Sequence, residues 1–349
     1  MMSEKVQPSV NQPLLTIAIP TYNGSRTINV MLDILLPQID NRVEIIVIDN
    51  CSTDDTPKII KEYGVKYNMI KYIRNEKNIG ADGNFLKCMR VASGRYIHIL
   101  SDDDVLTEGT LKKVLDFLQQ NQDMGLVFLG TANFYSHYTS KDKCVLPIAL
   151  PESNICTTDK KLFMEYAKHY WGFVSSFIIS KVRFCGIDNP QQYFGTYWLQ
   201  GYIHILCASG KDTLLGIVEG LCIAAGVYIT QSNYDTGFVD GISYKRLLDC
   251  AIQNGFDKKQ LDKWFEDRIC LLGSHGIIKE KATGKKRINN KQLFACTKKY
   301  PKAWIKIYPM WLVPRFVCRY YMEYYRKRKG ADYGSTLNRD GDVSTTTVK

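Results

Sequence analysis

Through its first 130 residues the chain alternates short apolar runs with helical repeats, and this alternation restricts the fold more than any single motif does. Leu14-Leu15-Thr16-Ile17-Ala18-Ile19-Pro20 is an almost unbroken apolar run closed by proline, the pattern of a strand buried on both faces. Ile28, Met31, Leu32, Leu35 and Leu36 follow at helical spacing. Glu44 to Asp49, Met69 to Ile73, Tyr96 to Leu100 and Gly125 to Leu129 predict four further strands. A helix is expected to open at Thr56-Pro57, with Thr56 as N-cap and Gly64 at its end. Another follows Gly80 and carries Phe85, Leu86 and Met89; a third carries Leu111, Val114, Leu115 and Leu118. Strand and helix in succession predict an α/β domain, a doubly wound and mostly parallel sheet flanked by helices.

After residue 150 the pattern loosens. Trp171 to Ser180 reads as a loop entering a buried strand, Tyr197 to Ala208 as a helix, Leu214 to Tyr228 as strand-rich and Leu247 to Ile278 as helical. The longest apolar stretch, Leu214 to Thr230, is broken by Glu219 and several glycines, so no spanning helix is expected. The 349-residue chain carries a formal net charge of +11, which favours anionic partners. Its eleven cysteines include no C-x-x-C pair, and Met1 to Asn11 is polar; reduced thiols in a cytosolic setting are expected.

Strand ends in a doubly wound sheet point to one crevice. Here the first strand delivers Thr21, Tyr22, Asn23 and Gly24, and the second delivers Asp49-Asn50-Cys51-Ser52-Thr53-Asp54. The loop after the third strand carries Asn75, Asn78 and Gly80. The fourth strand runs into Asp102-Asp103-Asp104. Three adjacent carboxylates at a strand end repel one another. A hard divalent cation, Mg²⁺ or Mn²⁺, would relieve that repulsion; a solvated acidic turn is the plainer alternative. No Walker loop and no G-x-G-x-x-G follows the first strand, which argues against an ATPase and a dinucleotide dehydrogenase.

The order Pro20-Thr21-Tyr22-Asn23, then Val47-Ile48-Asp49-Asn50-Cys51-Ser52-Thr53-Asp54, then Gly94-Arg95-Tyr96 and Ser101-Asp102-Asp103-Asp104 resembles family-2 glycosyltransferases. The resemblance is good over residues 14–130 and weaker to about 230, and it leans toward the abequosyltransferase-like enzymes of O-antigen synthesis. It implies a GT-A domain over residues 12–235, with a nucleotide-sugar half (12–130) and an acceptor half (131–235). A helical, basic extension (236–330) and a disordered tail (331–349) would follow. It implies that Thr21, Tyr22, Asn23, Asn78, Gly80 and Asp102 line the nucleotide-sugar site. Asp49 or Asn50 would contact the base, uracil for a UDP-sugar. Asp103 is the favoured metal ligand, supported by Asp102 and Asp104.

The family usually places an acidic base at the start of a helix in the second half. The matching segment, Tyr197 to His204, contains no Asp or Glu. His204 is the candidate base, against the alternative of a core histidine; Asp188 is a weaker candidate. Trp171, Ser175 and Trp198 are candidates for the acceptor wall, or else buried anchors. The implied activity is inverting transfer from a nucleotide-sugar to a glycan or polyprenyl-diphosphate-linked oligosaccharide, in bacterial O-antigen or capsule synthesis at the cytoplasmic face of the plasma membrane. A sugar nucleotidyltransferase and a noncatalytic carbohydrate-binding protein are the alternatives. Trp304 to Lys329 interleaves aromatic and basic residues, which suits an anionic membrane surface. No nucleic-acid module accompanies it.

Overall fold

The computed structural model describes residues 12–134, 150–167, 170–226, 237–284 and 288–332. The chain divides into two compact units, one of Met1–Thr230 with Arg246–Asp262, the other of Gln231–Lys245 with Lys263–Lys349. The amino-terminal residues before Gln12 lie outside the described part.

The first unit opens with β1 (Leu15–Thr21), α1 (Ile28–Leu35), β2 (Val43–Asp49), α2 (Thr56–Lys66), β3 (Ile70–Arg74), α3 (Gly80–Val91) and β4 (Tyr96–Ile99). It continues through β5 (Val105–Leu106), α4 (Thr110–Gln120), β6 (Met124–Phe134), β7 (Ile155–Thr157) and α5 (Lys160–Ala167). Then come β8 (Phe177–Ser180), α6 (Lys181–Cys185), α7 (Leu199–Cys207) and β9 (Leu214–Gly226). The strands form one sheet in the order β3-β2-β1-β4-β8-β6-β9-β5, with β7 added on β9. Strands β3, β2, β1 and β4 are parallel, as are β6 and β9. β8 runs antiparallel to both β4 and β6, which makes the sheet mixed. The reason is local: a 3₁₀ turn at Val174–Ser176 delivers β8 from the carboxyl edge of β4, so the strand must run back.

Every residue of β1 is buried, as its apolar run requires of a strand covered on both faces. Ile28, Met31, Leu32 and Leu35 of α1 pack into the same core as Ile17, Ile19, Ile45 and Val47. Each such side chain contributes about 1.5–3 kcal/mol by leaving water. Register fixes where the strands end. Thr21 is opposite Asp49, and Asp49 is opposite Arg74. The Leu100 N–H donates to Ala18 O at 3.1 Å, so the chain after β4 reaches the same edge.

The expected capping of α2 is corrected. The N-cap is Asp55 and Pro57 follows Thr56 within the first turn, while the helix runs through Gly64 to Lys66. A single interior glycine costs only about 1 kcal/mol, and Ile60 keeps the helix seated in the core. The single boundary expected near residue 235 is also replaced, because the chain returns to the first unit over Arg246–Asp262. Buried Leu247, Ala251 and Phe256 draw it back; Phe256 meets Trp171 edge-on at 5.5 Å, and Lys160 Nζ donates to Asn254 O at 2.8 Å.

Two helices, α8 (Tyr244–Gln253) and α9 (Lys258–Thr283), contribute to both units. The second unit adds α10 (Asn290–Thr297), α11 (Pro301–Lys306) and α12 (Arg315–Asp332). Its core holds Phe265, Ile269, Leu293, Ala303, Ile307 and Cys318. Phe265 lies between Tyr244 and Tyr300, at 6.4 and 5.4 Å. Buried Asp240 is paired with Arg268 at 2.8 Å. Of the tail expected from residue 331, Ala331 and Asp332 close α12 and the remainder lies outside the described residues. Among the described residues no helix is long and apolar enough to cross a membrane.

Candidate active site

The carboxyl ends of β1, β2, β3 and β4 share one edge, and their loops are cross-linked there. Asn23 and Cys51 both adopt left-handed backbone (φ 55° and 65°). Asn23 N–H donates to Ser52 Oγ at 2.9 Å, and Asn23 Oδ1 accepts from Thr53 N–H at 2.8 Å. Asp54 accepts from the Ser25 and Thr56 amides. Burial pushes the Asp54 carboxyl up, but these hydrogen bonds outweigh it and hold the group at about 2. Thus the β1 and β2 loops are tied by groups that sequence placed in them without showing the ties.

Asp49 has no exposed surface. Its oxygens accept from Ser52 N–H at 2.7 Å and Tyr72 OH at 2.8 Å, with Arg74 at 3.5 Å. The expected contact with a base is therefore corrected: Asp49 shapes the loop, and Arg74, half-exposed and donating to Ser52 O at 2.8 Å, presents charge to the crevice. Asn50 is also buried, and all its hydrogen-bonding capacity is used. Its Nδ2 donates to Asn78 Oδ1 at 2.9 Å and Gly80 O at 3.2 Å. Its Oδ1 accepts from Asn75 Nδ2 and Ile79 N–H, each at 2.9 Å. Asn75 in turn binds Asn84 at 3.0 Å and Lys87 at 2.6 Å. Gly80, at φ 77°, makes the left-handed turn that starts α3.

This network requires an amide and not an acid at position 50. A carboxylate at position 50 would face two acceptors, Asn78 Oδ1 and Gly80 O. Asn50→Asp should therefore destabilise the protein by about 2–3 kcal/mol and weaken donor binding. Urea unfolding and nucleotide titration check this; unchanged stability would show that the amide network is dispensable.

The three aspartates diverge. Asp102 and Asp103 are part-exposed, whereas Asp104 is buried. Thr21 Oγ1 donates to Asp102 Oδ2, and Ser101 Oγ donates to Asp103 Oδ1. Asp104 turns inward and accepts from Ser175 Oγ at 2.6 Å. Burial, with Asp103 and Asp54 nearby, pushes Asp102 up to about 7 despite the Thr21 hydrogen bond. The adjoining Asp102 and Asp103 carboxylates, both part-exposed at the crevice edge, fit a hard divalent cation, which commonly takes one or two protein carboxylates plus substrate phosphates. Among the described residues no set of three or more His, Cys, Asp or Glu groups converges as a complete metal cage. Asp104 is set apart from the other two by its burial and by the hydrogen bond that its Oδ2 accepts from Ser175 Oγ.

Gly24 explains how Asp102 fits. A Cβ there would overlap Asp102 Oδ2 and lie 2.6 Å from Thr21 Oγ1. Tyr22 is 49% exposed, leaving its ring available at the end of β1.

His204 does not reach the crevice. It is buried in α7, with Nδ1 3.1 Å from Trp171 O and its ring 4.4 Å from that of Phe177. Burial pushes its pKa down to about 3. It is withdrawn as the base: it is a core histidine. His98 is similarly buried, with Nε2 2.8 Å from Ser175 O, and burial brings it to about 4. Both folded values lie below the ordinary 6.5, so both histidines are neutral in either state above that pH. As pH falls from 6.5, the unfolded chain takes up the protons first, and each histidine removes up to about 1.4 kcal/mol of stability per pH unit until its folded value is reached. His204→Gln should therefore flatten the acid limb of urea stability between pH 6.5 and 4, while turnover per folded molecule stays near wild type. A large loss of turnover without a stability change would restore the base assignment.

The expected acceptor wall is likewise corrected. Trp171 is 2% exposed and stacks on Phe177 at 5.8 Å. Ser175 is fully buried and joins Asp104 to the Ser101 amide. Trp198 is 8% exposed and covers Gly172, where a Cβ would overlap its ring. Asp188 follows α6, whose preceding residue Ser180 is opposite Tyr96, at the edge remote from the aspartates. Arg74, Asn84 and Lys87 are the additional site-building residues: Arg74 ends β3, while Asn84 and Lys87 lie on α3 and bond Asn75, so only Arg74 had a signal in sequence, its place at a strand end.

Comparison with known proteins agrees with this architecture. Residues 16–177 match the model of glycosyl transferase family 2. Over 224 residues, 59% of this chain and 64% of the relative, the sequence is 28% identical to abequosyltransferase RfbV of Salmonella typhimurium. It is 33% identical over 122 residues, 35% of this chain and 46% of the relative, to an Escherichia coli enzyme named UDP-Glc:alpha-D-GlcNAc-diphosphoundecaprenol beta-1,3-glucosyltransferase WfaP. The matches thus span less than two thirds of these relatives. The crystal structure of S. aureus TarS 1–349 in complex with UDP-GlcNAc has a TM-score of 0.58 at 14% identity, covering 91% of this chain and 89% of that one. At that identity the likeness speaks for the fold, which is of GT-A type. Residues 16–177 are thus a glycosyl transferase family 2 domain.

Proposed function

We propose that the first unit transfers a glycosyl group from a nucleoside diphosphate sugar to a hydroxyl of a glycan or polyprenyl-diphosphate-linked oligosaccharide, with inversion at the anomeric carbon. The observation that carries this reading is the meeting of Thr21, the Asn50 loop network and the Asp102–Asp103 carboxylates at one sheet edge. A UDP-linked donor is favoured because UDP appears in the names of both the WfaP enzyme and the TarS complex. A lipid-linked acceptor is favoured by the diphosphoundecaprenol in the former name. The same reading places the reaction in bacterial surface-polysaccharide assembly, on the cytoplasmic face of the plasma membrane.

In this proposal Tyr22 stacks on the nucleotide, and the amides around Asn23 and Ile79 border its base and ribose. Arg74 contributes positive charge at the rim. Asp102 and Asp103 would hold Mg²⁺ or Mn²⁺, which supplies charge neutralisation for a departing diphosphate. Thr21 and Gly24 set the position of Asp102 before substrate arrives, which is the preorganisation that electrostatic catalysis requires.

The reaction is tested by incubating the protein with nucleotide-sugars, a divalent cation and a polyprenyl-diphosphate glycan. Nucleoside diphosphate release with a product of inverted anomeric configuration is expected. Pyrophosphate release from a nucleoside triphosphate and sugar phosphate would instead identify a nucleotidyltransferase, and donor binding without transfer would identify a noncatalytic protein.

A further inference from the structure

Helix α12 carries an aromatic stripe that the packing of its own unit leaves uncovered. Cys318 and Met322, four residues apart, are buried at 1% and 9% exposure and form its inward face. Phe316, Tyr320 and Tyr324 recur at the same spacing and are 74%, 72% and 54% exposed. At about 100° per residue, the centres of these two stripes lie about 180° apart. The aromatics are therefore on the face directed away from the unit's core. Leu312, just before the helix, is 86% exposed, and Ile305 of α11 is 75% exposed. Exposed apolar residues scattered singly need no explanation, but a periodic stripe opposite the packed face does.

Charge identifies what covers it. Residues 290–332 contain eleven Lys or Arg and two acidic residues, a net of +9 out of +11 for the whole chain. Arg315 and Arg319 are exposed on the flank between the buried pair and the aromatic stripe, about 120° round the helix from the stripe's centre, and Arg319 Nε also donates to Ala282 O at 3.4 Å. A protein partner for such a face would need to match both a flat aromatic stripe and a concentrated positive field. An anionic bilayer surface matches both: rings settle at headgroup level, and flanking cations meet lipid phosphates. The helix is about 27 Å long, and its polar composition suits lying in the interface rather than crossing it.

We propose that the outward face of α12 docks the protein on anionic lipid, with Phe316, Tyr320 and Tyr324 inserted at headgroup level and Arg315 and Arg319 contacting phosphates. This goes beyond glycosyl transfer and does not depend on the donor or acceptor of the first unit.

The test is co-sedimentation of the full chain with phosphatidylcholine vesicles, with and without phosphatidylglycerol. Binding should require phosphatidylglycerol and weaken with salt. The double variant Arg315→Gln/Arg319→Gln should lose about thirtyfold in affinity, from about 1 kcal/mol per cation. The triple variant Phe316→Ser/Tyr320→Ser/Tyr324→Ser should lose at least about tenfold. Thermal unfolding confirms that each variant is folded, and Tyr320→Ser alone carries the same test if the triple variant is not. No vesicle binding, equal binding with and without phosphatidylglycerol, or affinity unaltered by both sets of substitutions overturns the proposal. So does tighter binding to a single-stranded oligonucleotide than to vesicles, abolished by the same variants.

Discussion

Asp103→Ala should lower glycosyl transfer by on the order of 10³-fold, with the fold intact. Asp103 is part-exposed at the crevice edge and is held by Ser101 from one side. Its hydrogen bond is to Ser101 in the same part-exposed turn, unlike that of Asp104, which accepts from buried Ser175. Removing it therefore takes away one of the two carboxylates suited to a cation without opening a cavity. Loss should appear as weakened cation-dependent nucleotide binding as well as slower turnover. Asp104→Ala is the contrasting variant: it strips Ser175 of a buried acceptor and should cost about 1–3 kcal/mol of stability. If Asp103→Ala binds nucleotide with the same cation dependence as wild type, the ligand assignment is wrong.

Gly24→Ala should cost about a hundredfold in transfer, although it adds only one methyl group. The new Cβ would overlap Asp102 Oδ2 and crowd Thr21 Oγ1, so the Thr21–Asp102 hydrogen bond must break or the β1 loop must shift. Displacement of a reacting-site group by about 1 Å commonly costs about 10² in rate. The effect should fall on cation-dependent steps, because Asp102 is the group displaced. Steady-state kinetics across a Mn²⁺ titration reads it: a raised cation requirement with a small change in melting temperature is expected. Wild-type kinetics in this variant would mean that the Thr21–Asp102 arrangement does not matter to the reaction.

The parallel half of the sheet was legible in sequence because its strands are buried on both faces. Leu15 to Ile19 (Thr16 apart) and Ile45 to Ile48 are apolar and buried at successive positions, the pattern of strands covered on both faces. The direction of β8 was not legible: it depends on which edge the chain returns from, a property of Val174–Ser176 packing and not of Phe177–Ser180 composition. The return of Arg246–Asp262 to the first unit was hidden for a similar reason, since Phe256 finds its partner Trp171 eighty-five residues earlier.

At the site, sequence brought the right loops together but could not assign side chains to inside or outside. Asp102, Asp103 and Asp104 are adjacent and chemically identical, yet Ser175 takes only Asp104 into the core. His204, Trp171 and Trp198 have the chemistry of a sugar site, and burial decides against that use. Asn50 was expected at the base and instead donates twice and accepts twice within the loop network.

The central claim, that Asp102 and Asp103 form a cation-dependent nucleoside diphosphate site, is tested most directly by calorimetric titration of the full chain with UDP in Mn²⁺ and again in EDTA. The account predicts binding in Mn²⁺, its loss in EDTA and its loss in Asp103→Ala even with Mn²⁺ present. Binding of equal affinity in all three titrations, or no binding of UDP or any other nucleoside diphosphate under any of them, would contradict it.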